Sequence, residues 1–167
     1  MSLSAAVLSR RSLLLAVIAG VFGSLWRPQA VLAASKAGDS SWDLDADQWR
    51  ERLSSQAYDV LRNEGTERPF TSPLNGEKRS GTYHCAGCDA ALFSSEAKFD
   101  SGTGWPSFWQ PLDGAIATKV DFKLILPRTE YHCSRCGGHQ GHVFNDGPRP
   151  TGKRYCNNGV ALRFQPA

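Results

Sequence analysis

Two short stretches of the chain share one pattern: TYHCAGC at residues 82–88 and EYHCSRC at residues 130–136. In each stretch an apparent strand runs into two cysteines separated by two residues, with a glycine nearby (Gly87, Gly137) that permits a tight turn. This spacing lets both sulfurs of a pair reach one tetrahedral metal ion at about 2.3 Å. The pattern therefore predicts one zinc ion per chain, held by Cys85, Cys88, Cys133 and Cys136.

Four protein ligands would fill the coordination shell of this zinc, so the predicted site is structural. It would join two strand ends that are separated by 44 residues of sequence between Cys88 and Cys133. Two alternatives stay open from the residues alone. One is a pair of disulfides, which an oxidising compartment favours, and the other is a pair of redox-active CxxC motifs, although such motifs do not normally occur in matched pairs.

The sequence around these cysteines has the texture of short β-strands separated by Gly, Pro, Asn and Asp. The predicted strands are TYHCA (82–86), ALF (91–93), AIATKV (115–120), FKLIL (122–126), EYHC (130–133), HVF (142–144), RYC (154–156) and VALRF (160–164). Because no long helical pattern separates them, we expect a mainly β domain of antiparallel sheets.

Helical periodicity is confined to the beginning of this domain. Asp45 and Gln48 have the spacing of a capping box, and Ser54 divides the pattern into two short helices. We expect the second helix to end with Gly65 as its C-terminal cap. Residues 68–78, which contain two prolines and a glycine, are predicted to form an ordered coil.

The first 33 residues have the layout of a secretory signal. A basic pair (Arg10, Arg11) precedes an apolar run and a small-residue segment ending at Ala33. The paired arginines also resemble the twin-arginine export motif. We therefore predict a signal peptide at 1–33, a linker at 34–44, a catalytic or binding domain at 45–167, and export to the periplasm by the twin-arginine or general route. An uncleaved anchor and an organellar targeting segment are the alternatives.

The charge balance excludes one class of partner. The formal net charge is +3, and the predicted leader carries three arginines and no acid, so the remaining chain is near neutral. A near-neutral domain has no electrostatic basis for binding nucleic acid, and we predict no nucleic-acid partner.

A fifth cysteine, Cys156 in RYCNNGVALRF (154–164), has no partner among the CxxC pairs. Free cysteines usually behave as small, unreactive core residues, and this is one interpretation of Cys156. The neighbours favour a reactive one. Arg154 lies two residues earlier, where it shares a strand face with Cys156 and favours the thiolate by charge, and Asn158 lies two residues later.

Two further stretches contain residues suited to chemistry. GGHQGHVFNDGP (137–148) carries His139 and His142, three residues apart, followed by Asp146. Such histidines act as proton donors or metal ligands, although two histidines alone are more often ordinary surface residues. FDSGTGWPSFW (99–109) places Trp105 in a glycine-rich bend that by itself indicates core packing.

Together these stretches resemble one family, the methionine sulfoxide reductases of the B type, which reduce the R epimer of methionine sulfoxide. The resemblance covers essentially residues 49–164. It rests on both CxxC pairs and on GTERPF, KFDSGTGWPSF, GHVFNDGP and RYCNN, in that family's order. It implies antiparallel sheets with short N-terminal helices, and a zinc site remote from the chemistry.

The resemblance also implies roles for individual residues. The nucleophile falls on Cys156, whose thiolate would attack the sulfoxide sulfur and become a sulfenic acid as methionine leaves. The remaining implied positions are the proton-donating and orienting groups His139, His142 and Asn158, the supporting Asp146 and Arg154, and the apolar wall of Trp105 and Phe144.

Two positions depart from the family. Thr103 stands where many members have a resolving cysteine, and Asn157 stands where an aliphatic residue is usual. We therefore predict a monomer with a one-cysteine cycle, in which an external thiol (thioredoxin-like, glutaredoxin-like or a small thiol) reduces the sulfenic acid. The alternatives are a zinc-ribbon-like binding module without catalysis and a thiol peroxidase or redox sensor, neither of which explains all of the motifs.

Overall fold

The computed structural model describes residues 40–167, which form two antiparallel sheets and two short helices. The helices are α1 (Ala46–Arg52) and α2 (Ser55–Asn63). The strands are β1 (Gly81–Cys85), β2 (Ala91–Ser94), β3 (Lys98–Phe99), β4 (Ser107–Phe108), β5 (Ile116–Asp121), β6 (Arg128–Cys133), β7 (His139–Phe144), β8 (Arg154–Asn157) and β9 (Leu162–Pro166). The predicted mainly β, antiparallel fold is confirmed. The predicted signal peptide lies outside the described residues.

The strand order brings distant parts of the chain together. One sheet has the order β2-β1-β9, and the other has the order β3-β4-β8-β7-β6-β5. In the second sheet, β8 lies between β4 and β7, so Cys156 pairs with Ser107 on one side and with His142 on the other. The GTGW bend, the histidine stretch and the fifth cysteine therefore meet in the centre of this sheet.

The two helices follow from their caps. The Asp45 carboxylate accepts from the backbone N–H of Asp47 and Gln48, the Gln48 side chain returns to the Asp45 N–H, and the capping box is confirmed. Ser54 caps α2, as predicted. No helix within residues 40–167 is long and apolar enough to span a bilayer.

The end of α2 lies one residue earlier than predicted. Glu64, not Gly65, is the C-terminal cap in the left-handed region, with φ 56°. Its carboxylate is ion-paired with Lys119 and Lys123 of the neighbouring hairpin. Glu64 thus keeps a left-handed backbone conformation that glycine would adopt more readily, while its side chain makes two long-range ion pairs.

Two predicted strands need correction, and two strands were not predicted. FKLIL (122–126) is not a strand, because the β5–β6 pairing ends at Asp121 and Arg128 and residues 122–127 form the exposed loop between them. VALRF begins with a 3-10 turn (Gly159–Ala161) before β9. The two-residue strands β3 and β4 were not predicted, since a glycine-rich bend separates them and each is too short to show a pattern. The predicted coil at 68–78 also contains a 3-10 turn, Pro73–Gly76.

An aromatic cluster forms the core between the two sheets. Phe93 of β2 stacks on Phe108 of β4 with ring centroids 4.2 Å apart, and Tyr83 of β1 meets Phe108 edge-on at 4.9 Å. All three side chains are fully buried. Each such ring pair contributes about 1 kcal/mol beyond the burial of its area. Phe108 is the last residue of β4 and pairs with Tyr155 on β8. Its packing in the core therefore also fixes β8, the strand that carries Cys156.

The described part of the predicted linker makes contact with the helices. Residues Ser40–Trp42 form a 3-10 turn, and the Trp42 ring stacks on Trp49 with centroids 6.2 Å apart. Trp49 is buried in the core.

Candidate active site and metal centre

The four paired cysteines converge in one buried cluster, and their ligand atoms all lie within 4.8 Å of one another. Cys85 and Cys136 have their sulfurs 3.7 Å apart, and Cys88 and Cys133 have theirs 3.5 Å apart. These separations are far above the S–S bond length of about 2.05 Å, and all four thiols are free. They match the edge of a tetrahedron built from about 2.3 Å metal–sulfur bonds. The donor set therefore fits one tetrahedral, thiophilic metal ion, and the two-disulfide alternative is wrong.

The helices close over this cluster. A side chain at Gly87 would meet the Trp49 ring at 3.3 Å, and one at Gly138 would meet a Leu61 methyl at 2.9 Å. The Arg62 guanidinium donates to the Cys136 carbonyl at 3.0 Å. Both turns thus need glycine for a close approach of the helices, and the cluster is sealed from solvent.

Cys156 lies apart from the cluster, in the centre of the second sheet. Burial raises the pKa of the Cys156 thiol, while the Arg154 guanidinium and a hydrogen bond from the Thr103 hydroxyl lower it. Arg154 acts in the predicted direction, but burial prevails and the pKa lies above its ordinary value. The resting state of this site is therefore a protonated thiol with two groups positioned to stabilise the thiolate.

A cavity of about 220 Å³ opens onto Cys156. Its walls are formed by Thr66, Trp105, Arg128, Gly141, His142, Phe144, Cys156, Asn157 and Asn158. Five of the residues predicted for the site therefore share one cavity. A larger cleft of about 690 Å³ lies on the other side of Trp105 and does not include Cys156, so the smaller cavity is the candidate active site.

His142, on β7, is held in the cavity wall by Asp121 at the end of β5, on the far side of β6. Its Nε2 lies 2.7 Å from Oδ2 of Asp121, which also accepts from Arg128 at 2.5 Å. Burial lowers the pKa of His142, and the bond to Asp121 raises it by less, so the net shift is downward. The pKa of Asp121 is lowered by the Lys123 backbone N–H and by His142. At neutral pH the imidazole is thus neutral, with its ring fixed by a carboxylate.

His139 does not line the cavity. It is buried behind His142, with the two ring centroids 5.5 Å apart. Its Nδ1 lies 2.7 Å from Oε1 of Glu130, whose other oxygen bonds His132 at 3.0 Å. Burial raises the pKa of Glu130, but the hydrogen bonds from His132 and His139 outweigh it and leave the pKa at about 2. His139 is therefore placed to act on the site through His142, not by direct contact.

Asp146 and Arg154 also lie outside the cavity lining and form a support beneath it. The Arg154 guanidinium donates to both Asp146 oxygens, at 2.9 and 2.8 Å. It stacks on Phe144, with its central carbon 4.3 Å from the ring centroid. Arg154 thus fixes Phe144 in the cavity wall while its charge acts on Cys156.

Asn158 and Trp105 share a partner, Glu67, that the sequence analysis did not identify. Oδ1 of Asn158 accepts from the Glu67 N–H at 2.9 Å, and the Trp105 indole donates to the Glu67 carbonyl at 2.9 Å. The Glu67 carboxylate accepts from the Gly159 N–H at 2.6 Å. Since Nδ2 of Asn158 donates to the Gln140 carbonyl, its amide is engaged with backbone on both sides and positions the cavity wall.

Asp121, Arg128, Glu130 and Glu67 are site-forming residues that sequence reasoning missed. One signal was available: Glu130 is an acid inside the strand EYHC, at a position that the strand buries. A charge on the buried face of a strand requires a partner. The sequence alone does not show which histidines are the partners of the Glu130 carboxylate.

The two positions that depart from the family pattern are both near Cys156. Thr103 lies between Gly102 (φ 71°) and Gly104 (φ 91°), and its hydroxyl bonds Ser101 at 2.8 Å as well as acting on Cys156. Asn157 is fully buried, and its Nδ2 donates to Oε1 of Gln140 at 3.5 Å. Gln140 in turn donates to the Cys85 sulfur at 3.4 Å. A polar contact thus links the strand of Cys156 to the cysteine cluster.

Comparison with known proteins gives a consistent set of relatives. The SelR domain matches residues 53–166. The chain is 53% identical to peptide methionine sulfoxide reductase MsrB of Leptospira interrogans over 118 residues, which are 70% of this chain and 90% of the relative. It is 53% identical to the MsrB of Pseudomonas putida over 125 residues, covering 74% and 94%. It is 50% identical to the chloroplastic peptide methionine sulfoxide reductase B1 of Oryza sativa over 126 residues, covering 75% and 59%.

Proposed function

The chain belongs to the SelR domain family and is a peptide-methionine (R)-S-oxide reductase, and we propose that Cys156 is its nucleophile. The observation that carries this proposal is the cavity of about 220 Å³, in which Cys156 faces His142, Trp105 and Phe144. A non-catalytic zinc-ribbon-like module has no use for a thiol in such a cavity. A thiol peroxidase has no use for its two aromatic walls.

The cavity suits a methionine sulfoxide side chain. The methyl group is apolar and suits the rings of Trp105 and Phe144, while the sulfoxide oxygen is a strong hydrogen-bond acceptor and suits the Arg128 guanidinium, which lines the same cavity. Hydrogen bonding to this oxygen makes the sulfur electrophilic, and the sulfur then accepts attack by the Cys156 thiolate. Selection of one epimer follows from the opposed apolar and polar walls.

The first half of the cycle balances without any further reactant. A thiol and a sulfoxide give a sulfenic acid and a sulfide. Attack first joins the Cys156 sulfur to the sulfoxide sulfur. As the oxygen passes to the Cys156 sulfur, this S–S bond and the S–O bond of the substrate break, methionine leaves, and the thiol hydrogen remains as the sulfenic O–H. The buried, protonated Cys156 becomes nucleophilic as its proton passes toward the sulfoxide oxygen. Arg154 and Thr103 stabilise the thiolate at that moment.

The second half requires an external thiol. The chain has five cysteines, four of them in the buried cluster, and Thr103 occupies the position beside Cys156. A first external thiol forms a mixed disulfide with Cys156 and releases water, and a second thiol restores the enzyme. We propose a thioredoxin-like protein, a glutaredoxin-like protein or a small thiol as the donor, and a monomeric enzyme.

We propose that the metal of the four-cysteine cluster is zinc, bound by Cys85, Cys88, Cys133 and Cys136. Bound there, it would supply only structural cross-linking, because four thiolates complete its shell. We further propose export of the protein, on the signal-like layout of residues 1–33.

The test is turnover of separated epimers of a methionine sulfoxide peptide with dithiothreitol as reductant. We expect the R epimer to be consumed and the S epimer to remain, with no turnover in a Cys156→Ser variant that keeps its metal content. Turnover in that variant would remove Cys156 from its role, and consumption of the S epimer alone would remove the assigned specificity.

A further inference from the structure

The loop between β5 and β6 carries an unusual concentration of exposed apolar side chains. Within residues 40–167, seven large apolar side chains are exposed. Four of them lie in this loop, and a fifth, Val120, lies beside it at the end of β5. These five, called the apolar rim here, are Val120, Phe122, Leu124, Ile125 and Leu126, with exposed fractions between 57% and 102%. Exposing such a group to water contributes nothing to folding, so the apolar rim has another use.

The base of this loop is part of the active site. Asp121 and Arg128 close the β5–β6 hairpin as its last pair and are joined by an ion pair of 2.5 Å. Asp121 holds His142, and Arg128 lines the cavity of Cys156. A loop of six residues anchored at both ends reaches at most about 10 Å from its base, so the apolar rim stays within that distance of residues that form the site.

The polar side chains of the same segment are fastened to the body of the protein. Lys119 and Lys123 are ion-paired with Glu64 at the end of α2, and the Lys123 N–H donates to Asp121 at 2.8 Å. These contacts hold the segment in place with its apolar side chains facing solvent. The segment therefore offers a fixed apolar surface near the cavity.

The cavity is large enough for the methionine sulfoxide side chain but not for the residues that flank it in a substrate. A volume of about 220 Å³ is below the range of sites that enclose a drug-sized ligand, and it accommodates a single side chain. The residues that flank a methionine sulfoxide in a polypeptide must therefore lie outside the cavity. Methionine belongs to the residues that are usually buried, and its oxidation disrupts cores and exposes their apolar segments.

From this continuity we propose that the apolar rim binds the apolar residues flanking the sulfoxide in a substrate polypeptide, and so gives this enzyme a preference for sulfoxides in an apolar sequence context. This inference rests on the proposed function, since it concerns the substrate of the same cavity. Covering about 60 Å² of apolar surface corresponds to roughly a tenfold gain in binding. The rim should therefore discriminate between sulfoxides by their sequence context.

The test compares three substrates in the R configuration, with dithiothreitol as reductant: a peptide with leucine and valine around the sulfoxide, the same peptide with serine and asparagine there, and N-acetyl methionine sulfoxide. The variant is Leu124→Ser/Ile125→Ser, and the matched control is Leu112→Ser, an exposed leucine that does not line the cavity. We expect wild type and control to prefer the apolar peptide about tenfold in kcat/KM. The double variant should lose this preference and keep its activity on the small substrate.

Each contrary result has a distinct meaning. Equal kcat/KM of variant and wild type on the apolar peptide overturns the inference, and so does an equal loss on all three substrates, which would assign the rim to the cavity itself. Absence of wild-type activity on all three substrates would instead refute the proposed function. The double variant is also compared with wild type in sedimentation with phosphatidylglycerol vesicles and in gel filtration. If the rim promotes vesicle binding or self-association, and wild type shows no preference among the peptides, the rim binds a membrane or a second copy of the chain and the proposal is overturned.

A second measurement does not depend on kinetics. A peptide with a photoreactive leucine analogue two residues from the sulfoxide should cross-link to residues 122–126 of the wild type. Cross-links found elsewhere, with none in this segment, would contradict the inference even if the variant were destabilised.

Discussion

Replacing Thr103 by cysteine should convert the one-cysteine cycle into one with an internal disulfide. The Thr103 hydroxyl acts on Cys156 through a hydrogen bond, so a sulfur at that position lies within reach of the nucleophile. Gly102 and Gly104, both in the left-handed region, fix the backbone on either side. After one turnover the introduced thiol should attack the Cys156 sulfenic acid, form the disulfide and release water.

The magnitude follows from the length of chain that the disulfide closes. Positions 103 and 156 enclose a loop of roughly 50 residues, for which the chain-entropy model gives about 4 kcal/mol of stabilisation when the native geometry accepts the bond. The oxidised Thr103→Cys protein should therefore show a higher free energy of unfolding in urea by about this amount. Reduction with dithiothreitol should abolish the difference.

The assay is a single turnover without reductant, followed by dimedone trapping and mass spectrometry. Wild type should release about one methionine per enzyme and leave a dimedone adduct on Cys156, since one thiol reduces one sulfoxide. The Thr103→Cys variant should release the same amount and show a disulfide instead of the adduct. The matched control is Thr118→Cys on β5, which β6 and β7 separate from the strand of Cys156, and it should behave as wild type.

Two results would refute this reasoning. A Thr103→Cys protein that keeps its dimedone-reactive sulfenic acid would show that the 101–107 bend does not bring position 103 to the nucleophile. A wild-type disulfide between Cys156 and a cysteine of the cluster, with metal released, would show that neither the one-cysteine cycle nor the structural role of the cluster is right.

Three further outcomes follow from the structure. Cys133→Ser should yield protein that lacks its metal and unfolds at lower urea, because the remaining thiols leave the shell incomplete; a stable, metal-loaded and active variant would contradict the ligand assignment. Glu130→Gln should lower the free energy of unfolding by about 3 kcal/mol at pH 7, since the pKa of this carboxyl falls from 4.5 to about 2 on folding. That contribution is complete above pH 4.5 and is lost as the pH falls towards 2, so the deficit measured in urea should narrow over this range, and a pH-independent deficit would refute the ionic account. Arg154→Leu should raise the pKa of Cys156 and slow its alkylation by iodoacetamide several-fold at pH 7, whereas Arg163→Leu, an exposed arginine on β9, should leave the rate unchanged.

The sequence by itself determined those features whose cause is local. The capping box of Asp45, the Ser54 cap and the CxxC turns depend on residues within three or four positions of one another, so their spacing alone predicts them. The assignment of Cys156, Trp105, His142 and the other motif residues rested on a family resemblance that covers most of the chain. The mainly β architecture was predicted correctly from short strand-like stretches separated by turn residues, and the family resemblance implies the same fold.

What only the tertiary structure decided is the set of partners that act across the sheet. Asp121 and Glu130 hold the two histidines because β5, β6 and β7 lie side by side in the sheet. Glu67 bonds both Trp105 and Asn158, which are 38 and 91 positions away from it in the sequence. The alternation of a strand tells which side chains share a face, but strand order and register decide which residues they meet. The apolar stretch at 122–126 shows the same limit, since its composition favours a strand and only the absence of a neighbouring strand makes it an exposed loop. The pKa of Cys156 is the last case: the charge of Arg154 is visible in the sequence, but the burial that outweighs it exists only once the sheets have packed.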